Sequence, residues 1–138
     1  VVEEASAQGV CQIANDNSPG QVVIAGVRAA VDAALVLASG KGAKRSILLP
    51  VSVPAHSTMM EPAALAMREA LARIDLKSPT PPLVANVAAR AVTDPAEIRD
   101  LLVQQITGRV RWRESVAWMR EQGVCAMTEI GAGKVLRA

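Results

Sequence analysis

The chain has 138 residues, is 51% hydrophobic, and carries 15 basic against 13 acidic residues for a formal charge of +2. That charge is too small and too dispersed to single out nucleic acid or an anionic membrane as a partner, and two Trp with no Phe or Tyr provide no base-stacking platform. No apolar run approaches the ~20 residues of a membrane span, and Val1-Val2-Glu3-Glu4 lacks the basic start of a signal peptide. A soluble, cytoplasmic, globular protein is expected, its core built from Val, Leu, Ile, Ala and Met. Cys11 and Cys125 stand far apart, without CxxC spacing, and there is a single histidine. Reduced thiols and no metal site are therefore expected.

Residues 1–8 read as a helix tail that stops at Gly9, with no N-cap of its own, so something is expected to precede it. Residues 10–14 and 21–25 are short apolar segments around Asn15-Asp16-Asn17-Ser18-Pro19-Gly20, a turn composition, which predicts a β-hairpin. Val27, Ala30, Val31, Ala34, Leu35 and Ala38 share one helical face opposite Arg28, Asp32 and Ser39, with Gly40 as a stop. Residues 44–51 return as a strand. The order so far matches a ferredoxin-like β-α-β-β-α-β unit without its first strand.

Further on, Ala64, Met67, Leu71 and Ile74 form an apolar stripe opposite Glu61, Arg68, Glu69 and Arg73, with Pro62 in the first turn. Residues 78–82 read as an extended connector and 83–87 as a short strand. Asp94-Pro95-Ala96-Glu97 supplies an N-cap, a proline at the first helical position and an acid three residues after the cap. The helix it opens carries Ile98, Leu101, Leu102 and Gln105 on one face, with Gly108 just past its end. A last helix, 112–122, is expected to bury Trp112, Val116 and Met119, and Gly123 to lead into a strand over 124–130. Gly131-Ala132-Gly133-Lys134 reads as a strand-to-helix turn, being too short for a phosphate loop and followed by Val135 rather than Ser or Thr.

The residue most suggestive of chemistry is His56, the only histidine, in Pro50-Val51-Ser52-Val53-Pro54-Ala55-His56-Ser57. Strand ends beside helix starts are where α/β enzymes place reactive groups. A lone histidine is also a common capping or core residue, and Gln105 on an apolar stripe is commonly a boundary residue. Gln105 falls in the last turn of its helix, however, where carbonyls lack intrahelical partners. If that carbonyl accepted the Nδ1 proton of His56, it would fix the tautomer that leaves Nε2 as a general base. An acyl-transfer base needs a nucleophile, and no serine here lies in Gly-x-Ser-x-Gly. The nucleophile is expected outside this chain.

Four stretches in order closely resemble the bacterial malonyl-CoA:acyl carrier protein transacylases. They are Asn15-Asp16-Asn17-Ser18-Pro19-Gly20-Gln21-Val22-Val23-Ile24-Ala25-Gly26; Pro50 to Ser57 with Met60 and Pro62; Gln104-Gln105 before Val110-Arg111-Trp112 and Ser115-Val116; and Glu129-Ile130-Gly131-Ala132-Gly133-Lys134-Val135-Leu136. The resemblance implies an α/β fold with an α+β insert: an α/β-hydrolase-like large subdomain, present in part over 52–138, and an incomplete ferredoxin-like small subdomain over 1–51. It covers the later part of the family's chain, so the serine-bearing half, the arginine that pairs with the malonyl carboxylate and a short stretch after Ala138 are expected to be missing. Ala132 departs from the proline usual between these glycines.

By the same resemblance His56 is the catalytic base and acid, the carbonyl of Gln105 orients it, and Asn17 lies in the loop reaching toward the acyl substrate. Lys44 and Arg45, at the start of the returning strand, occupy a place where the family offers basic residues to its acidic carrier protein; ordinary solvated charge is the alternative. The implied reaction is ping-pong transfer of malonyl from malonyl-CoA to the phosphopantetheine thiol of acyl carrier protein in fatty acid biosynthesis, with no cofactor or metal, in an enzyme that is monomeric when whole. Two readings stay open beside it. One is an acyltransferase domain of a polyketide synthase; the other is a carrier-protein-binding module without catalysis.

Overall fold

The computed structural model describes residues 1–131. Strands β1 (Cys11–Ser18) and β2 (Gln21–Gly26) form an antiparallel hairpin whose register runs from Cys11 opposite Gly26 to Ser18 opposite Gln21. The strand thus continues through Asp16, Asn17 and Ser18, which the sequence had assigned to the turn. Pro19 and Gly20 alone make the reversal, because a fixed proline φ followed by Gly20 at φ +82° fills both corners. The register shifts between Ile13 and Asn15 and again between Asp16 and Ser18, so Ala14 and Asn17 occupy bulges.

One face of the hairpin is covered by α1 (Val2–Ala5), continued by a 3-10 turn over Ser6–Gln8, and by α2 (Arg28–Gly40). Ala5, Cys11, Ala30 and Ala34 form the buried centre, with Val2, Ile24, Val27 and Leu37 packed around it. Ala30 and Ala34 are 0% and 1% exposed. Small side chains four residues apart bring the helix close onto the strands. Close approach also fixes Gly26, where an added Cβ would stand 2.0 Å from the carbonyl oxygen of Val10. Gly40 is the last helical residue, but the left-handed exit is Gly42 at φ +88°. Ala43 N–H bonds Ala38 O at 3.0 Å and Gly42 N–H bonds Ser39 O at 3.1 Å, which is the Schellman pattern.

The expected strand over 44–51 is absent: the segment is irregular, and Ile47, Leu48, Leu49 and Val51 are exposed. An apolar β-rich run pairs only if a neighbouring strand offers free N–H and C=O groups, and no described strand lies beside it. The strand expected over 124–130 is likewise irregular and largely exposed, with Ile130 93% accessible.

The second half is built on α3 (Glu61–Leu71), α4 (Pro95–Thr107) and α5 (Trp112–Glu121), with a short hairpin of β3 (Leu83–Ala85) and β4 (Arg90–Val92) before α4. β4 has no counterpart in the sequence reading, and β3 is shorter than the 83–87 expected. Ala64 and Leu71 pack on Val103 with Ile106 at the side, while Met67 and Ile74 are exposed, so the α3 stripe is narrower than its periodicity implies. Arg99 donates to Leu71 O and Ile74 O, both at 3.1 Å. That places a cation and two donors on the carbonyl end of α3. At the start of α4, Asp94 Oδ2 accepts from Glu97 N–H at 2.9 Å, as the cap signature requires. Ile98 and Leu101 face Ala85 and Val92 inside, whereas Leu102 points outward. On α5 the buried residue is Ser115; Trp112, Val116 and Met119 are half-buried.

β1 joins the two halves. Val110 N–H donates to Ala14 O at 2.8 Å and Asp16 N–H to Val110 O at 2.9 Å, forming a parallel bridge. Beside it, Arg113 Nε lies 3.0 and 3.1 Å from the two Asp16 oxygens and Nη2 lies 2.7 Å from Oδ2. Among the described residues no helix is long and apolar enough to cross a membrane, and no three His, Cys, Asp or Glu are placed to hold a metal.

The Arg113 hydrogen bonds hold the Asp16 carboxyl below its ordinary value of 3.8, against the opposing effect of burial. A lowered folded-state pKa contributes stability above the unfolded value and loses it as pH falls through the folded one. Arg113→Gln is therefore expected to lower the thermal midpoint at neutral pH, with the gap to wild type closing below about pH 4, as read by melting curves across pH.

Candidate active site

His56 has φ +60°, a left-handed conformation that costs a non-glycine residue roughly 1–3 kcal/mol and persists where surrounding contacts over-determine it. Those contacts are present. Ser57 Oγ, fully buried, donates to Pro54 O at 2.6 Å and closes the loop from within. Met60 N–H bonds Ser57 O at 3.0 Å, starting the 3-10 turn Thr58–Met60 that leads into α3. From β1, Gln12 Oε1 accepts from Thr58 N–H at 2.7 Å and from Thr58 Oγ1 at 3.1 Å.

The imidazole itself reaches α4: His56 Nδ1 lies 2.9 Å from the carbonyl oxygen of Gln105. Gln105 is in the last turn of its helix, where the N–H that would continue the ladder is absent, so the oxygen is free to accept from a side chain. A carbonyl only accepts, which places the proton on Nδ1 and a lone pair on Nε2. No described residue hydrogen-bonds Nε2, and the ring is half-exposed. The Gln105 side-chain Nε2 donates to Gly108 O at 3.0 Å and also lies 3.4 Å from His56 Nδ1, a longer approach than the 2.9 Å carbonyl contact that sets the tautomer, while its Oε1 is buried without a partner. Exchanging the amide atoms would set two acceptors against each other at Gly108, so this orientation stands.

Gly108 is fixed by space. An added Cβ would stand 2.7 Å from Gln104 O and 2.8 Å from Val87 Cγ2. Arg111 continues the clamp, its N–H on Asn86 O at 3.0 Å and Nη1 on Val87 O and Ala88 O at 3.3 and 3.2 Å.

The structure thus brings His56 and Gln105 together and leaves the other sequence-nominated residues apart from them. Asn17 sits in the second bulge of β1, half-buried, with no side-chain hydrogen bond among the described residues. Lys44 and Arg45 are exposed on the irregular segment after α2 rather than at the start of a strand. The turn at Gly131-Ala132-Gly133-Lys134 falls, beyond Gly131, outside the described residues. Ser57 is no nucleophile, since its hydroxyl is spent on Pro54, and no described hydroxyl or thiol bonds His56. Gln12 and Thr58 escaped the sequence reading because nothing in a lone strand glutamine marks a partner 46 residues away. A cavity of about 350 Å³ between Val84, Asn86, Trp112 and Met119 and a smaller one of about 120 Å³ beside Gln105 are not lined by His56; the chemistry follows the imidazole, not the larger hollow.

No family model matches the chain. Among curated proteins it is 48% identical over 134 residues to the malonyl CoA-acyl carrier protein transacylase of Salmonella typhimurium, covering 96% of this chain and 43% of the relative. Among solved structures, the acyl-carrier-protein-S-malonyltransferase of Bartonella henselae superposes with a TM-score of 0.94 at 53% identity, over 99% of this chain and 43% of that one. Over almost its whole length the chain is similar to one part of the malonyl-CoA:acyl carrier protein transacylases. It spans about 43% of the length of the curated relatives. A malonyl-transacylase solved in complex with a type II PKS acyl-carrier protein is also similar, with a TM-score of 0.95 at 41% identity over 99% of this chain and 44% of that one. Over the segment it spans, the chain shares the α/β acyltransferase architecture of these structures.

Within the segment, Gly108→Ala is expected to push the last turn of α4 off the His56 ring. Overpacking of this kind costs about 1–3 kcal/mol, so chemical denaturation should show a lower midpoint with an unchanged m-value.

Proposed function

We propose that this chain is part of a malonyl-CoA:acyl carrier protein transacylase of fatty acid biosynthesis, acting in the cytoplasm, and that His56 is its proton-transfer residue. The observation that supports this most directly is the 2.9 Å contact from His56 Nδ1 to the Gln105 carbonyl, which leaves Nε2 as the base. The attacking hydroxyl is a serine in polypeptide beyond these 138 residues. Nε2 takes its proton as the oxygen adds to the thioester carbonyl of malonyl-CoA. The tetrahedral intermediate then collapses with loss of the CoA thiolate, which receives that proton from the imidazolium. In the second half, Nε2 takes the proton of the phosphopantetheine thiol, the sulfur attacks the malonyl ester, and the serine oxygen regains a proton as it leaves. No metal or resident cofactor enters.

Gln105 acts through its peptide oxygen, the nearer of its two contacts with the ring, which keeps the imidazole in one tautomer through both halves. Asn17, held at a bulge that re-aims its side chain, is assigned to the acyl substrate. Lys44 and Arg45 are assigned to the acidic carrier protein, as exposed cations with no described ion-pair partner. We divide the chain into a ferredoxin-like part over 1–51 and a part of the α/β-hydrolase-like subdomain over 52–138. The similarity to a transacylase solved with a type II PKS carrier protein favours, as a second reading, a carrier protein of polyketide rather than fatty acid synthesis, with the same chemistry.

In the full-length enzyme, His56→Ala should lower kcat by roughly 10²–10⁴-fold with an unchanged far-ultraviolet circular dichroism spectrum; near-normal turnover would remove the base assignment. Reversing the charges of Lys44 and Arg45 to Glu should raise KM for carrier protein while leaving KM for malonyl-CoA in place. The effect should shrink with added salt, since exposed charges are screened beyond ~10 Å at 0.1 M.

A further inference from the structure

We propose that Gln12 is a positioning residue for His56, a role that rests on the transacylase reading above. The 3-10 turn that follows the histidine begins without a side-chain cap of its own: Ser57, at the cap position, is turned back onto Pro54 O. The first N–H of that turn is therefore an orphan donor. Gln12 supplies the missing acceptor from another element, its single oxygen taking both the N–H and the hydroxyl of Thr58 at 2.7 and 3.1 Å. Thr58 is two residues from His56, inside a loop whose left-handed backbone needs outside support.

The same strand holds the other member of the pair. Gln12 pairs opposite Ala25, next to the buried Cys11. Two and four residues on, Ala14 O and Asp16 N–H grip Val110, which lies five residues past Gln105, and Asp16 takes Arg113 on α5. β1 is thus bonded on one side to the loop that carries the imidazole and on the other to the segment leaving the helix that carries the orienting carbonyl. The two are kept in register by one strand seated on its own small core, and Asn17 stands at the far end of it. A shift of the hairpin would be felt at the proton-transfer residue without any contact between Gln12 and substrate.

The test compares Gln12→Leu, which removes the acceptor at similar size, with Gln12→Glu, which keeps an oxygen that accepts both Thr58 bonds, in the full-length transacylase. Gln12→Leu is expected to lower kcat roughly tenfold, the equivalent of one hydrogen bond lost from the transition state, with KM for malonyl-CoA and carrier protein changed less than about twofold. Gln12→Glu should recover most of that kcat, and Thr58→Val, which retains only the N–H, should fall between them. Wild-type kcat in Gln12→Leu, in an enzyme that His56→Ala inactivates, overturns the proposal and leaves the base assignment standing. Equal losses in the Leu and Glu variants that follow a common drop in thermal midpoint also overturn it, by making Gln12 structural only. Activity retained by His56→Ala overturns both.

Discussion

The bridge between β1 and Val110 is the contact on which the geometry of this chain rests. Two backbone hydrogen bonds and the Asp16–Arg113 pair, joined by the Gln12–Thr58 contacts, attach a hairpin with its own small core to the helices of the second half. The strands of the second half are short, β3 and β4 having three residues apiece, so that hairpin holds no fixed position alone. Once the bridge forms, the C-terminal turn of α4 is placed relative to β1, and through Gln12 the loop around His56 is placed relative to the same strand. The proximity of His56 and Gln105, 49 residues apart, is a consequence of that shared attachment.

Polar residues inside β1 make sense on the same account. Asn15, Asp16 and Asn17 are poor strand formers, and from sequence alone they read as turn. Their place in the strand is set by tertiary partners: Asn15 lies in the bridge, Asp16 is buried against a guanidinium, and Asn17 is put out of register by a bulge. Twisted, bulged strands of this kind project side chains away from the regular pleat, which suits an edge that carries contacts to two other segments.

What could be read in advance divides along physical lines. Helix signals are local, and the Asp94 cap, the proline after it and the amphipathic faces around Ala30, Ala34 and Ile98 emerged where the residues put them, while the α2 exit moved only from Gly40 to Gly42. Strand signals are only half local. Residues 44–51 and 124–130 have strand-like composition, yet pairing depends on a neighbour that periodicity does not supply, and no described strand pairs with either segment. The narrow α3 stripe shows the same thing for helices: which of Ala64, Met67, Leu71 and Ile74 is covered depends on the angle at which α4 crosses, not on spacing. At the site, the chemistry of a lone histidine and of a helix-end carbonyl could be reasoned from residue types, whereas Gln12 and Thr58 are joined only by the fold.

The neutral character of the oxygen that faces His56 has one more effect. In hydrolases that use an aspartate in this place, the ring is steadied by a full negative charge, which also sets a repulsive field across the pocket. A peptide dipole steadies the ring without that field. In the reaction proposed above, whose acyl donor bears a carboxylate and several phosphates and whose carrier is acidic, an uncharged partner for the imidazole would keep the approach free of that electrostatic resistance. It also places the steadying atom in the main chain, where no single-residue substitution deletes it.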